Sequence, residues 1–257
     1  MKAILAGGGR FDLDTERWPT LIRALAMAGS EPKLLVIPTP LKWAPFDELE
    51  KLESRLRAAK IKFKLLTTDT QAVPDYDRAK ELIAWSSVIL VLGGNFMQQM
   101  IHWRQNGIDE LLISAAPTKV LVGSSTGMMC WFELAHTNTH ELGYTGPSHR
   151  DYRLEPALGI IPAIACPHYD GFQMRNGTPR AESFRAMISR RTAGTIGIGL
   201  THHAEIIIDG NEVRFDGTDR YATAHILKSS PTGLETTIYR AFDATKLSFT
   251  DVFGRAS

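Results

Sequence analysis

Val88-Ile89-Leu90-Val91-Leu92-Gly93-Gly94-Asn95 is the stretch whose reading decides the fold. Five consecutive apolar residues, closed by a glycine pair, read as a strand covered on both faces and ended by a tight turn. The same pattern recurs to either side. Residues 2–6 form an apolar run closed by Gly7-Gly8-Gly9, residues 33–37 a run stopped by Pro38 and Pro40, and residues 61–66 and 119–122 further strands. Helical spacing fills the intervals: Leu21, Ile22, Leu25 and Ala26, then residues 46–59, 78–85, 97–103 and 109–115. Buried strands alternating with helices predict a doubly wound, mostly parallel α/β sheet with helices on both faces.

The second half changes character. Residues 139–156, rich in Gly, Pro, Ser and charge, read as a long loop, a candidate lid. A strand over 160–166 and a helix over 179–190 follow, then short strands at 206–208, 212–215, 224–227 and 236–239, with Asp209-Gly210-Asn211 as a hairpin turn. These antiparallel strands are expected to extend the same sheet. With no repeat or linker in view, residues 1–257 are expected to form one domain.

Composition narrows the function. There are 29 Lys+Arg against 28 Asp+Glu in 257 residues, a formal charge of +1, so nucleic acid and anionic membrane are not expected partners. No run approaches the ~20 apolar residues of a membrane span. Two cysteines in apolar runs, Cys130 and Cys166, suggest a reducing compartment. A cytoplasmic protein is the expectation; homo-oligomerisation is left open.

The chemistry concentrates at Gly123-Ser124-Ser125-Thr126-Gly127, a G-x-S-x-G reached directly from a strand. Such a turn exposes a nucleophilic serine, here Ser125, and the apolar segment 128–132 behind it reads as a buried helix. The amide of Thr126 and one from the Gly93-Gly94-Asn95 turn are natural donors for a developing oxyanion. His168, just after the apolar run 160–166, is a candidate base. His136 and His140, four apart, would ligate a metal only if helical, and Thr137-Asn138-Thr139 between them disfavours a helix; no metal or cofactor is expected. The pair His202-His203 precedes a strand, where neighbours point to opposite faces.

These residues resemble the serine peptidases that include aspartyl dipeptidase (dipeptidase E) and cyanophycinase, whose sheet is similar to that of class I glutamine amidotransferases. The resemblance runs from Lys2 to about Leu227. It is carried by Leu92-Gly93-Gly94-Asn95, by Trp103 to Asp109, by Gly123 to Gly127 continuing into Cys130-Trp131-Phe132-Glu133, and by Pro167-His168-Tyr169-Asp170; Arg180 with Phe184, and Gly197-Ile198-Gly199, complete it. It implies Ser125 as nucleophile, His168 as base, the amides of Gly94 and Thr126 as oxyanion hole, and Asn95 and Arg180 at the substrate, with Arg180 facing an amino-terminal acidic side chain.

Three departures stand out. Thr126 replaces the family's alanine after the nucleophile, and Leu92 replaces the first glycine of its G-G-G-N. Both usual homes of the triad acid lack a carboxylate: one reads His136-Thr137-Asn138-Thr139, the other Leu200-Thr201-His202-His203. Asn138 and Glu205 are the candidates to orient His168, with Glu133, Glu141 and Asp151 behind them; Asp170 is too close in sequence to His168 to orient it easily. The expected function is hydrolysis of small peptides, dipeptides with amino-terminal Asp in particular, through a Ser125 acyl-enzyme. The alternative is a catalytically impaired binding protein that keeps the pocket but lacks the triad acid. An α/β-hydrolase esterase and a cysteine-dependent amidotransferase fit the motif order less well.

Overall fold

The computed structural model describes residues 1–8, 19–38, 46–67, 76–139, 152–171, 177–241, 243 and 245–254. The first half runs β1 (Lys2–Ala6), α1 (Pro19–Met27), β2 (Leu34–Ile37), α2 (Phe46–Ala58), β3 (Phe63–Leu65), α3 (Tyr76–Trp85), β4 (Val88–Val91), α4 (Phe96–Gln105), α5 (Ile108–Ala115) and β5 (Val120–Ser124). It continues through α6 (Thr126–Met129), β6 (Phe132–Thr137), β7 (Arg153–Pro156), β8 (Ile161–Cys166), α7 (Arg180–Ser189) and β9 (Ile196–Leu200). The last elements are β10 (Ala204–Asp209), β11 (Glu212–Gly217), β12 (Thr223–Ser230), β13 (Gly233–Arg240), β14 (Lys246–Ser248) and α8 (Phe249–Phe253).

The strands among the described residues make two sheets. The first has eight strands in the order β14-β11-β10-β1-β5-β4-β2-β3. Its β1, β5, β4, β2 and β3 are mutually parallel, and β10, β11 and β14 add antiparallel at one edge. Alternation gives this sheet two buried faces: Ala3, Leu5, Leu121 and Ile206 on one, Ile4, Val122 and Ile207 on the other, the latter packed on Leu21, Ala24 and Leu25 of α1. Burial on both sides is why these strands read as unbroken apolar runs.

The second sheet has six strands, β13-β12-β9-β8-β6-β7, and corrects three expectations. Of the carboxy-terminal strands, β10 and β11 extend the first sheet, whereas β12 pairs with β9 and carries β13 with it. A strand's apolar pattern tells which face is buried but not which edge it joins. The segment after the elbow is a four-residue helix, α6, and from Phe132 the chain is strand, parallel to β8. An apolar run such as Met128–Phe132 is compatible with either state, and pairing with β8 decided it. Residues 153–156, expected in a loop, form β7 against β6; 140–151, most of the candidate lid segment, lie outside the described residues.

One buried cluster joins the two sheets, including Leu5 and Leu121 of the first, Ile161 and Ile198 of the second, and Trp103 and Trp131 between. Each large side chain so buried contributes roughly 1.5–3 kcal/mol of transfer free energy.

Candidate active site

Strand β5 ends in Ser124, and the next residue, Ser125, has φ 56° and ψ −118°. A β-carbon residue in that conformation is strained by ~1–3 kcal/mol. The surroundings enforce it: the carbonyl of Ser125 accepts the amides of Met128 and Met129, opening α6, while its own amide donates to the Ala6 carbonyl of β1 at 3.2 Å. The flanking glycines are sterically required, since a β-carbon on Gly123 would overlap the Gly127 peptide and one on Gly127 the Val91 carbonyl. The G-x-S-x-G is thus a strand-to-helix elbow at the carboxyl edge of a parallel sheet, where such sheets hold ligands.

His168 comes from the other sheet. It lies in the turn after β8, also at positive φ (47°), with its amide on the Gly7 carbonyl at 2.6 Å and the amide of Tyr169 on Leu200 at 2.9 Å. The turn therefore laces the carboxyl ends of β1 and β9 together. The imidazole lies over Gly8, where any β-carbon would overlap the ring. Its Nε2 is 2.8 Å from Ser125 Oγ.

The other ring nitrogen corrects the sequence reading. Nδ1 of His168 lies 2.9 Å from Nε2 of His202, in the turn between β9 and β10, and Nδ1 of His202 lies 2.9 Å from Oδ1 of Asp170. The same carboxylate oxygen accepts the His202 backbone amide at 3.0 Å. Neither Asn138 nor Glu205 takes the place expected of it, because both nitrogens of His168 are occupied by Ser125 and His202. Glu205 accepts hydrogen bonds from Thr20 and Arg23 of α1 instead, and Glu133 faces solvent on β6. Glu141 and Asp151 lie outside the described residues. The signal for His202 was present in the sequence: it stands where the resemblance implies an acid, and a neutral imidazole, like a carboxylate, can accept a hydrogen bond.

Burial, the nearby Arg180 and His202 push His168 down to about 3, Asp170 opposing them. His168 is therefore neutral at physiological pH, with a lone pair available. Partial burial raises Asp170, but the bonds from His202 outweigh it and hold the carboxyl below its ordinary range.

The remaining expected residues cluster around this row. Thr126 donates its hydroxyl to the Gly94 carbonyl at 2.6 Å, pinning the β4–α4 turn against the elbow, so the departure from alanine has a structural consequence. Asn95 caps α4, its side-chain oxygen accepting from Gln98 at 3.1 Å. Arg180, at the start of α7, is 7% exposed. Its guanidinium donates to the His136 carbonyl at 2.5 Å and lies over the Tyr152 ring at 4.8 Å. Among the described residues its Nε has no hydrogen-bond partner and no carboxylate pairs with it. Its backbone amide donates to Gly171 at 2.7 Å, tying it to the turn that carries His168.

Cys130 is fully buried, its thiol pushed up by that burial and donating to Gly127, which suits packing and not nucleophilic attack. His136 is buried against Tyr152, Cys166 and Ser183; His140 lies outside the described residues, and among those described no cluster of ligating side chains could hold a metal. No helix among them is long and apolar enough to cross a membrane.

Fold and site together define an α/β protein with a serine on a strained strand-to-helix elbow, opposed by a histidine from a neighbouring sheet. Comparison with known proteins gives the family. The pattern of peptidase family S51 matches residues 3–215, and the chain belongs to that family. It is similar to an uncharacterized peptidase, YgaJ, of Bacillus subtilis strain 168, at 36% identity over 85 residues; the match spans 33% of this chain and 33% of that protein. Among solved structures it is similar to a peptidase from an acI-B1 actinobacterium, with a TM-score of 0.69 at 17% identity over 96% of both chains. It is similar also to a putative peptidase E protein from Listeria monocytogenes EGD-e, with a TM-score of 0.57 at 17% identity over 85% of this chain and 98% of the other. These likenesses show the fold.

Proposed function

We propose that this member of the peptidase family is a serine peptidase of small peptides, with Ser125 as nucleophile and His168 as base, and that it prefers dipeptides with an amino-terminal aspartyl residue. The observation that carries the reading is the 2.8 Å contact between Ser125 Oγ and His168 Nε2 on a strained elbow. Ser125 Oγ attacks the scissile carbonyl carbon while its proton passes to His168 Nε2. The amides of Gly94 and Thr126 receive the oxyanion. Collapse of the tetrahedral species expels the amine, which takes the proton from His168, and water releases the acyl group by the reverse sequence.

The preference for an acidic residue is supported by Arg180, a buried cation with an unpartnered Nε and no carboxylate among the described residues. A substrate carboxylate would supply what the guanidinium lacks, by charge-assisted hydrogen bonds. A cytoplasmic location and action as one domain belong to the same proposal.

The test is release of p-nitroaniline from aspartyl-p-nitroanilide beside its glutamyl, leucyl and N-acetyl-aspartyl analogues. Release confined to the free aspartyl compound, and abolished in Ser125→Ala, is expected. Undiminished turnover in that variant would overturn the role of Ser125. A second reading, a binding protein that has lost turnover, is favoured by one observation: no carboxylate touches His168 among the described residues. It requires aspartyl peptides to raise the melting temperature without being consumed.

A further inference from the structure

We propose that His202 and Asp170 together replace the missing triad acid, forming a four-membered row Ser125–His168–His202–Asp170 in which both are positioning residues. This rests on Ser125 and His168 being the nucleophile and base. Three contacts of 2.8, 2.9 and 2.9 Å join the four side chains in sequence.

The proton positions follow from one end. An ionised Asp170 can only accept, so His202 carries its proton on Nδ1 and donates it to Oδ1. Neutral His202 then presents a bare Nε2, which accepts the proton on His168 Nδ1. That leaves His168 Nε2 bare, facing the Ser125 hydroxyl. Every donor in the row points the same way, and the serine proton has an acceptor. Were His202 doubly protonated, its Nε2–H would need the Nδ1 lone pair of His168; the proton of that ring would move to Nε2, and Ser125 would lose its acceptor. A triad carboxylate fixes the base in one tautomer by accepting from it; here an imidazole does so, and Asp170 fixes the imidazole.

The geometry also explains how an acid only two residues from His168 takes part. The tight turn after β8 sends the two side chains to different partners, and Asp170 holds His202 twice, through ring and backbone amide. Carrying this carboxylate on the base's own turn, with the intermediary on β9's turn, makes orientation of His168 depend on the pairing of β8 with β9.

Two measurements test the row. In the first, protein labelled with ¹⁵N in its histidine rings is studied by NMR without substrate. His168 and His202 are both expected in the Nδ1–H form at neutral pH, and Asp170→Asn is expected to shift His202, and with it His168, toward Nε2–H. A wild-type His202 in the Nε2–H form would overturn the proposal whatever the enzyme hydrolyses. In the second, on aspartyl-p-nitroanilide, His202→Ala is expected to lower kcat at least about a hundredfold with KM within about twofold. His202→Gln, whose amide oxygen reaches the place of Nε2, is expected to recover much of the loss. Wild-type kcat in His202→Ala, or equal loss in the alanine and glutamine variants when both are folded, would overturn it. Loss of activity in Ser125→Ala alone would leave the peptidase reading standing and the row refuted; full activity in Ser125→Ala would fail the peptidase reading itself.

Discussion

Glu205 and Asp170 are both carboxylates near the sheet edge where the parallel strands end, yet they meet opposite environments. Glu205, 3% exposed, projects from β10 on the face that packs against α1, where Thr20 and Arg23 hold it and Asp216 competes for Arg23. Burial outweighs Arg23 there, and with Asp216 pushes the carboxyl up to about 7. Asp170, its side chain 46% exposed, lies in a turn beside His202 and is held low. The buried acid is the better expectation from sequence and the wrong one in space. A residue's register on its strand decides which side of the sheet it faces, and that register turns Glu205 toward α1 and away from His168.

The comparison breaks most visibly if the two acids exchange consequences. His168→Ala, at the head of the Asp170 row, is expected to lower hydrolysis of aspartyl-p-nitroanilide by about 10³-fold or more. Glu205→Ala should leave kcat within about twofold but lose roughly 2–4 kcal/mol of stability to denaturant, because it leaves a cavity, strands the Thr20 hydroxyl and leaves Arg23 with Asp216 alone. A Glu205→Ala enzyme that is stable but inactive would reverse the assignment.

A smaller effect lies in pH. The folded-state value of Glu205, about 7, exceeds its ordinary 4.5; the folded state therefore binds the proton more tightly, and stability is lost as pH rises from 4.5 to 7. Glu205→Gln, compared with wild type by urea unfolding at pH 5 and pH 8, should remove this slope, gaining up to about 3 kcal/mol relative to wild type across the interval. Parallel slopes would mean that the carboxylate is ionised in place.

His168 carries the opposite sign. Its folded value of about 3 lies below the ordinary 6.5, so the unfolded chain takes the proton first and stability falls as pH drops from 6.5 toward 3. His136, lowered by burial and by Arg180, adds to that fall. His168→Gln should flatten the acid side of a melting-temperature profile and leave the 4.5–7 loss due to Glu205. An unchanged acid side would mean that the ring is protonated when folded. Smallest is Thr126→Val, which keeps the branched shape but frees the Gly94 carbonyl. A fall in kcat of about tenfold with KM little changed is expected, the signature of a lost transition-state contact; unchanged kcat would detach the Thr126 hydroxyl from the oxyanion turn.

The amino-acid sequence determined the parallel core, the elbow and the place of His168, because each is written locally. Val88–Val91 is apolar on both faces, Gly123 and Gly127 occupy positions where a β-carbon would strike backbone, and His168 follows a buried strand directly. Sequence did not determine the division of the carboxy-terminal strands between two sheets, since alternation specifies a face and not an edge partner. Nor did it determine what orients His168. That depends on β8 lying beside β9 in register, Cys166 opposite Gly199, so that two turns 34 residues apart bring His168 and His202 to 2.9 Å. A hydrogen bond of that length is a property of strand pairing, and only the tertiary structure supplies it.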